Sequence, residues 1–136
     1  MVDSPSSQAL RRLAAEPYSS LTTFKRDGSP VAVPIWHAVA GERVYMFTEA
    51  EAYKAKRLRR DPRVTLAPCN WRGVVHGPRW SGTGRVVADP ATVTEAYKAL
   101  DSKYGWQKML VDLMSRLSGR YHARAILEIE LDGKET

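Results

Sequence analysis

The sequence predicts a mainly β protein with short helices, in which about six antiparallel strands curl into a small barrel. Several short segments alternate apolar and polar residues, and most of them are joined by turn-length connections. The helix-forming stretches are too few to give alternating strand and helix units. With 136 residues, 43% of them hydrophobic, we expect one domain over residues 1–136 that buries its own core.

The first half of the chain predicts one helix and then three strands. In residues 7–15, Leu10 and Leu13 lie on one face of a helix. The stretch SLTTFKRDGSPVAVPIWHAV predicts a hairpin, because Gly28 tolerates a positive φ in the turn and Pro30 fixes the exit from it. A second turn at AGE leads into the strand RVYMFTE. We therefore expect three consecutive strands in an antiparallel meander.

The second half predicts three helices and three strands. A short helix over 52–60 ends before the Asp-Pro pair, since the residue before a proline is pushed out of the helical region. RVTLAPCN and RWSGTGRVVAD predict the fourth and fifth strands. Asp89 can cap a helix that begins at Pro90, and a further helix is expected over 106–117. The alternating stretch YHARAILEIELD predicts the last strand.

Composition excludes several classes of protein. No apolar run approaches the ~20 residues that cross a bilayer, and no secretion signal begins the chain, so we expect a cytoplasmic protein without a membrane span. A single cysteine, Cys69, and three scattered histidines offer no zinc-binding spacing. The net charge of +6 indicates an anionic partner, which nucleic acid, a phosphate ligand or an acidic membrane would satisfy equally.

The segment AYKAKRLRRDPRV concentrates that charge. On a helix Ala55 and Leu58 would face inward, while like charges stack three and four residues apart at a cost of about 0.2–0.5 kcal/mol per pair. Surfaces that serve only solubility usually mix signs, so the asymmetry favours binding of a phosphate or carboxylate. The six basic residues, set against the single acid Asp61, are Lys54, Lys56, Arg57, Arg59, Arg60 and Arg63.

Two other patterns have structural interpretations. Gly82 and Gly84 in SGTGRV look like the start of a dinucleotide-binding motif, but a third glycine is missing and the stretch lies in a strand, so we interpret them as glycines of a bulge or bend. For each of the aromatic residues taken alone, core packing is the better interpretation, although together they could line a slot for a flat ring. These residues are Trp36, Tyr53, Trp71 and Trp80.

Taken in order, these features resemble the FMN-binding split-barrel proteins related to pyridoxamine 5′-phosphate oxidase, especially the branch that uses the deazaflavin coenzyme F420. The resemblance rests on LTTFKRDGSPVAVPIWHAV, VYMFTE, KAKRLRRDPRVTLAPC and GTGRVV, and it extends to the final YHARAILEIEL. The chain end lacks the C-terminal arginine and proline-rich substrate motif of true pyridoxamine phosphate oxidases, so that reaction is not expected.

The resemblance implies a homodimeric, six-stranded split β-barrel with the cofactor at the dimer interface. It leaves the catalytic residues unassigned, with His37 and Tyr104 as possible proton donors that nothing in the sequence selects. The implied cofactor-binding residues are Lys54, Lys56 and Arg57 for the phosphate, Arg60 for a tail or surface contact, Val33, Pro34, Ile35, Trp36, Met46, Phe47 and Thr48 around the ring, and Trp80 near the ring or substrate.

The implied function is a coenzyme F420-dependent oxidoreductase that transfers hydride from the reduced coenzyme to an unsaturated or conjugated organic substrate. The alternatives are an FMN-dependent oxidoreductase and a flavin-binding or haem-binding module without turnover. F420 is favoured because its oligoglutamate tail offers carboxylates to an extended basic surface. A nucleic-acid-binding barrel is disfavoured, since the aromatic residues are not interleaved with the basic ones.

Overall fold

The computed structural model describes residues 5–49, 53–105 and 124–136, and these form three helices and seven strands. The predicted helix over 106–117 and the predicted start of the last strand lie outside the described residues. In chain order the elements are α1 (Pro5–Ala14), β1 (Tyr18–Phe24), β2 (Pro30–Trp36), β3 (Ala38–Ala40), β4 (Arg43–Glu49), α2 (Tyr53–Arg60), β5 (Arg63–Cys69), β6 (Trp80–Val87), α3 (Pro90–Tyr104) and β7 (Arg124–Glu135).

The described strands form one antiparallel sheet in the order β2-β1-β5-β6-β7-β4-β3. The two end strands of this order, β2 and β3, are consecutive in the chain and are separated only by His37. The sheet therefore curls until its two edges approach each other at His37, and the predicted mainly β fold, with an antiparallel sheet curved into a half-barrel, is confirmed.

The count of six strands differs from the structure, because the predicted second strand breaks at His37. Its first part, β2, pairs with β1, and its last part, β3, pairs with β4. A simple meander is therefore wrong as well: the chain crosses from one sheet edge to the other in the middle of an apolar run.

The main core lies inside the barrel and is covered by α1. As predicted, Leu10 and Leu13 of α1 are buried. A second cluster joins β4, β6 and β7 to α3 through Tyr45, Val87, Ala96 and Ile126. In the main cluster the fully buried side chains include Leu13, Leu21, Met46, Leu66, Leu127 and Ile129.

The two glycines of β6 are structural, as the sequence predicted. A Cβ at Gly82 would lie 2.5 Å from the Glu130 carbonyl oxygen, and one at Gly84 would lie 2.7 Å from Ile129 Cδ1. The pairing of β6 with β7 also shifts between Trp80 and Gly82. Both positions therefore need glycine so that β6 can bend closely against its neighbours.

Turn and cap predictions are confirmed at both places where they were specific. Gly28 has φ +87° in the β1–β2 turn, a conformation that favours glycine. Asp89 Oδ2 accepts a hydrogen bond from the Thr92 amide at 3.0 Å, so Asp89 caps α3 at the residue before Pro90.

Candidate functional site

Helix α2 turns an apolar face to the barrel and a basic face away from it. Ala55 and Leu58 are buried in the main core, as predicted, and Leu58 Cδ1 would be 3.3 Å from a Cβ on Gly84 of β6. The segment YKAKRLRR contains five basic residues and no acid. Of the predicted phosphate and tail contacts, Lys56 and Arg60 are exposed, whereas Lys54 and Arg57 are half-buried.

Tyr53 gathers two of these cations at the start of α2. Its side chain is 73% exposed, the most exposed large hydrophobic side chain of the described residues, so core packing is the wrong interpretation for Tyr53. Arg57 Cζ lies 5.5 Å from the centre of the tyrosine ring, and Lys56 Nζ lies 5.9 Å from it. Cations at these distances are attracted to an aromatic face, so Tyr53 places two positive charges where one anion could meet both.

The end of α2 is tied to the first hairpin. The Arg60 guanidinium donates a hydrogen bond to the Phe24 carbonyl oxygen, and the Arg63 guanidinium lies 4.7 Å from the centre of the Phe24 ring. Asp61 binds Arg63 at 2.8 Å, and this hydrogen bond lowers the pKa of the Asp61 carboxyl. The one acid of the basic segment therefore pairs with the first residue of β5 and not with a helix residue.

The predicted ring-binding residues of β2 begin about 10 Å from Phe24, measured along the β1–β2 hairpin. Val33 pairs with Leu21, three residues before Phe24, whereas Trp36 pairs with Tyr18, six residues before it and about 20 Å away. Val33 and Ile35 are half-buried and Pro34 is exposed. The β2 segment therefore runs away from the Arg60 end of α2, with Trp36 at its far end.

Other predicted ring contacts lie deeper. Met46 is fully buried in the main core, Trp80 is 5% exposed there, and Thr48 is 8% exposed. Phe47 is half-buried and packs on the clusters under α3. The structure does not gather the side chains of Met46 and Trp80 on the surface with α2, because both face the barrel interior.

His37 lies buried at the corner between β2 and β3, so it is not a solvent-accessible proton donor. Its Nε2 atom is 2.7 Å from the Leu13 carbonyl oxygen and 3.1 Å from Lys103 Nζ. Burial and the nearby Lys103 charge lower the pKa of His37 to about 4. Sequence reasoning missed Lys103, because a lysine in the last turn of a helix ordinarily points to solvent. Tyr104, the other possible donor, has no described side chain.

The loop between β5 and β6 exposes Trp71, for which core packing was the wrong interpretation. Its side chain is 66% exposed and that of Val74 is 58% exposed. Asn70 Oδ1 accepts hydrogen bonds from the amides of Arg72 and Val74, which fixes the turn. His76 Nε2 lies 3.0 Å from Glu16 Oε2 and ties the loop to the end of α1.

The fold and site define a small antiparallel β-barrel with a basic helix between its fourth and fifth strands. In the part of the chain that the structure describes, no helix is both long and apolar enough to span a membrane, and no three or more metal-ligating side chains cluster. Residues 6–133 match the model of the pyridoxamine 5′-phosphate oxidase family, so the chain belongs to that family. The family resemblance of the sequence motifs is thereby confirmed.

Solved structures share this fold at low identity. A conserved hypothetical protein from Mycobacterium tuberculosis is 22% identical with a TM-score of 0.70, covering 97% of this chain and 81% of that one. An F420 reductase is 17% identical with a TM-score of 0.57, covering 89% and 91%. A heme binding protein from Mycobacterium smegmatis is 14% identical with a TM-score of 0.66, covering 100% and 59%. No curated protein matches the chain.

Proposed function

We propose that this protein is a coenzyme F420-dependent oxidoreductase, which transfers hydride from the reduced deazaflavin to an unsaturated or conjugated organic substrate. Its family membership and the F420 reductase among the similar structures support this class of activity. The heme binding protein among them gives a competing function, a binding module without turnover.

The observation that carries the proposal is the charge of α2. Eight helical residues extend over about 12 Å and carry five cations without one acid. An FMN phosphate would occupy only part of this length, whereas a phosphate followed by a tail of carboxylates would use all of it. The donor set fits such a ligand, because arginine binds oxyanions in bidentate fashion and lysine adds a point charge.

In this proposal α2 binds the anionic part of the cofactor and β2 contacts its ring. Lys54, Lys56 and Arg57 hold the phosphate, and Arg60, fixed on the Phe24 carbonyl, continues the basic surface toward the tail. The β2 segment Val33–Trp36 borders the ring and keeps water from one face of it. When bound, the deazaflavin supplies the hydride chemistry, while the protein supplies position and electrostatics.

The proposal includes a homodimer with the ring between the two chains. Trp71 and Val74 carry exposed apolar surface on the loop outside β2, and a Cβ on Gly73 would lie 3.5 Å from Pro34 Cδ of that strand. Apolar surface of this kind is commonly covered by a partner. Light scattering after size exclusion should give twice the chain mass, and Trp71→Lys should shift it toward the single-chain mass.

Cofactor titration separates the deazaflavin from FMN. Fluorescence quenching should show micromolar affinity for F420 and at least tenfold weaker affinity for FMN. The double variant Lys56→Ala/Arg57→Ala should weaken F420 binding at least tenfold, since charge-assisted hydrogen bonds are each worth roughly 1.5–3 kcal/mol. As a matched control, Arg43→Ala/Lys98→Ala removes the same charges from outside α2 and should bind normally.

Tighter binding of FMN than of F420 would overturn the choice of cofactor, and equal losses in both double variants would remove α2 from the site. An enzyme and a binding module differ in turnover. Reduced F420 should be oxidised when an enone or quinone is added to catalytic amounts of the protein, which a binding module would not do.

A further inference from the structure

The corner at His37 holds a second arrangement of reactive groups, outside the proposed cofactor site. Lys103 Nζ lies 3.1 Å from His37 Nε2 and donates a hydrogen bond to the Leu13 carbonyl oxygen at 3.3 Å. His37 Nε2 is in turn 2.7 Å from the same carbonyl. An amine, an imidazole and a carbonyl therefore meet within hydrogen-bonding distance of one another.

These contacts make the protonation of Lys103 unusual. If His37 Nε2 carries a proton and donates to Leu13, a charged Lys103 faces a second donor, and a neutral amine is preferred. Burial lowers the pKa of Lys103 to about 8, and the carboxylate of Glu16 opposes that shift only in part. The neutral fraction at pH 7 is then about 200 times that of a lysine with an ordinary pKa of 10.4.

Lys103 also borders a groove large enough for a small ligand. The groove encloses about 750 Å³ and shares no lining residue with α2 or β2. Besides Lys103, its polar lining comes from α3 as Lys98, Ser102 and Glu95. Lys98 lies five residues from Lys103, about 7.5 Å along the helix, and can bind a carboxylate with the help of Ser102. The negative charge of Glu95 disfavours ligands that carry several anionic groups.

We propose that Lys103 is an amine nucleophile that forms an imine with a small carbonyl compound carrying one carboxylate, such as a 2-oxo acid. Lys103 Nζ lies beside a buried imidazole whose Nε2 is held on the Leu13 carbonyl, and a second donor at that distance favours the uncharged, nucleophilic amine.

The step balances without a further reactant. The neutral Lys103 nitrogen attacks the carbonyl carbon, and a C–N bond forms as the carbonyl oxygen takes up a proton. The nitrogen then loses a proton to water, the hydroxyl group is protonated and leaves as water, and the resulting iminium loses its N–H proton to give the imine. One amine and one carbonyl thus give one imine and one water.

Trapping with limiting glyoxylate and sodium cyanoborohydride at pH 7.5 tests this directly on the whole protein. Peptide mass spectrometry should find the carboxymethyl adduct on Lys103 at least tenfold more than on Lys98 in the same groove. The rate at Lys103 should level off above about pH 8, whereas that of an ordinary lysine rises to about pH 10.4. Equal labelling of the two lysines would overturn the proposal.

A second comparison tests the carboxylate. Lys98→Met should slow labelling of Lys103 by glyoxylate several-fold and leave labelling by propanal unchanged. If both aldehydes react alike with both proteins, the carboxylate preference is wrong. The experiment needs no deazaflavin, so its failure would leave the proposed oxidoreductase function untouched.

Discussion

The cations of α2 and the cation of Lys103 show two uses of a basic residue in one small barrel. Lys56 and Arg60 lie on a solvent-facing helix, where only Ala55 and Leu58 contact the core. Lys103 instead places its amine against His37 and the Leu13 carbonyl, where burial lowers the pKa of the amine. Position decides the difference: α2 presents its cations at the surface of the barrel, whereas the half-buried amine of Lys103 is a candidate nucleophile.

The largest effect is expected where α2 is attached to the barrel through its buried side chains. Leu58→Ala should lower the free energy of unfolding by about 2–5 kcal/mol, since it leaves a cavity between α2 and β6. Urea denaturation measures the loss. F420 binding, measured under conditions where both proteins stay folded, should weaken as well. Val74→Ala, which truncates an exposed side chain, should stay within about 0.5 kcal/mol. A loss below 1 kcal/mol for Leu58→Ala would show that α2 is held by its charged face.

Low pH should destabilise the region around His37 and Lys103. The pKa of His37 is about 4 in the folded protein against 6.5 as its ordinary value. The unfolded chain therefore binds more protons between these values, and stability falls as the pH drops from about 6.5 to about 4. The full loss is about 3 kcal/mol.

Urea denaturation across that range, for the wild type and His37→Gln, isolates this effect. Glutamine can still donate a hydrogen bond to the Leu13 carbonyl but does not titrate. The variant should lose less stability than the wild type on acidification, because every other carboxyl and histidine is common to both. Parallel curves would mean that His37 takes up its proton without a penalty.

The sequence predicted the α2 region well because its signals are local. The spacing of Ala55 and Leu58 sets the buried face, and the Asp-Pro pair ends the helix, so the helix and its inward residues are confirmed. The same holds for Gly28 in its turn and for the Asp89 cap. The cofactor contacts on this helix stay predictions, because they depend on a ligand.

The Lys103 region could not be predicted, because its contacts join distant parts of the chain. His37 breaks a strand in the middle of an apolar run, and its partner Leu13 is 24 residues earlier. Lys103 is 66 residues later. No local pattern marks such a meeting, and the same reason explains the seventh strand.

Gly84 tests how tightly β6 supports α2. Gly84→Ala should cost about 1–3 kcal/mol, since the new methyl would lie 2.7 Å from Ile129 Cδ1 and 3.2 Å from Val64 Cγ1. Ile129→Val removes the nearer of these atoms. The double variant should therefore be more stable than the sum of the two single losses predicts, as a double-mutant cycle by urea denaturation would measure. Additive losses would place the strain elsewhere.

The smallest effect is expected at the start of α3. It tests whether the position of the Lys103 amine depends only on its contacts with His37 and Leu13 or on the whole helix. Asp89→Ala removes the side-chain cap from the Thr92 amide and should lower the free energy of unfolding by about 1 kcal/mol. Asp89→Asn keeps an accepting oxygen and should cost less. Since Lys103 lies in the last turn and is held by His37 and Leu13, glyoxylate labelling should be unchanged in both variants. A change in labelling with Asp89→Ala alone would mean that fraying at the start of α3 reaches its end, and that burial of the amine depends on the helix as a unit.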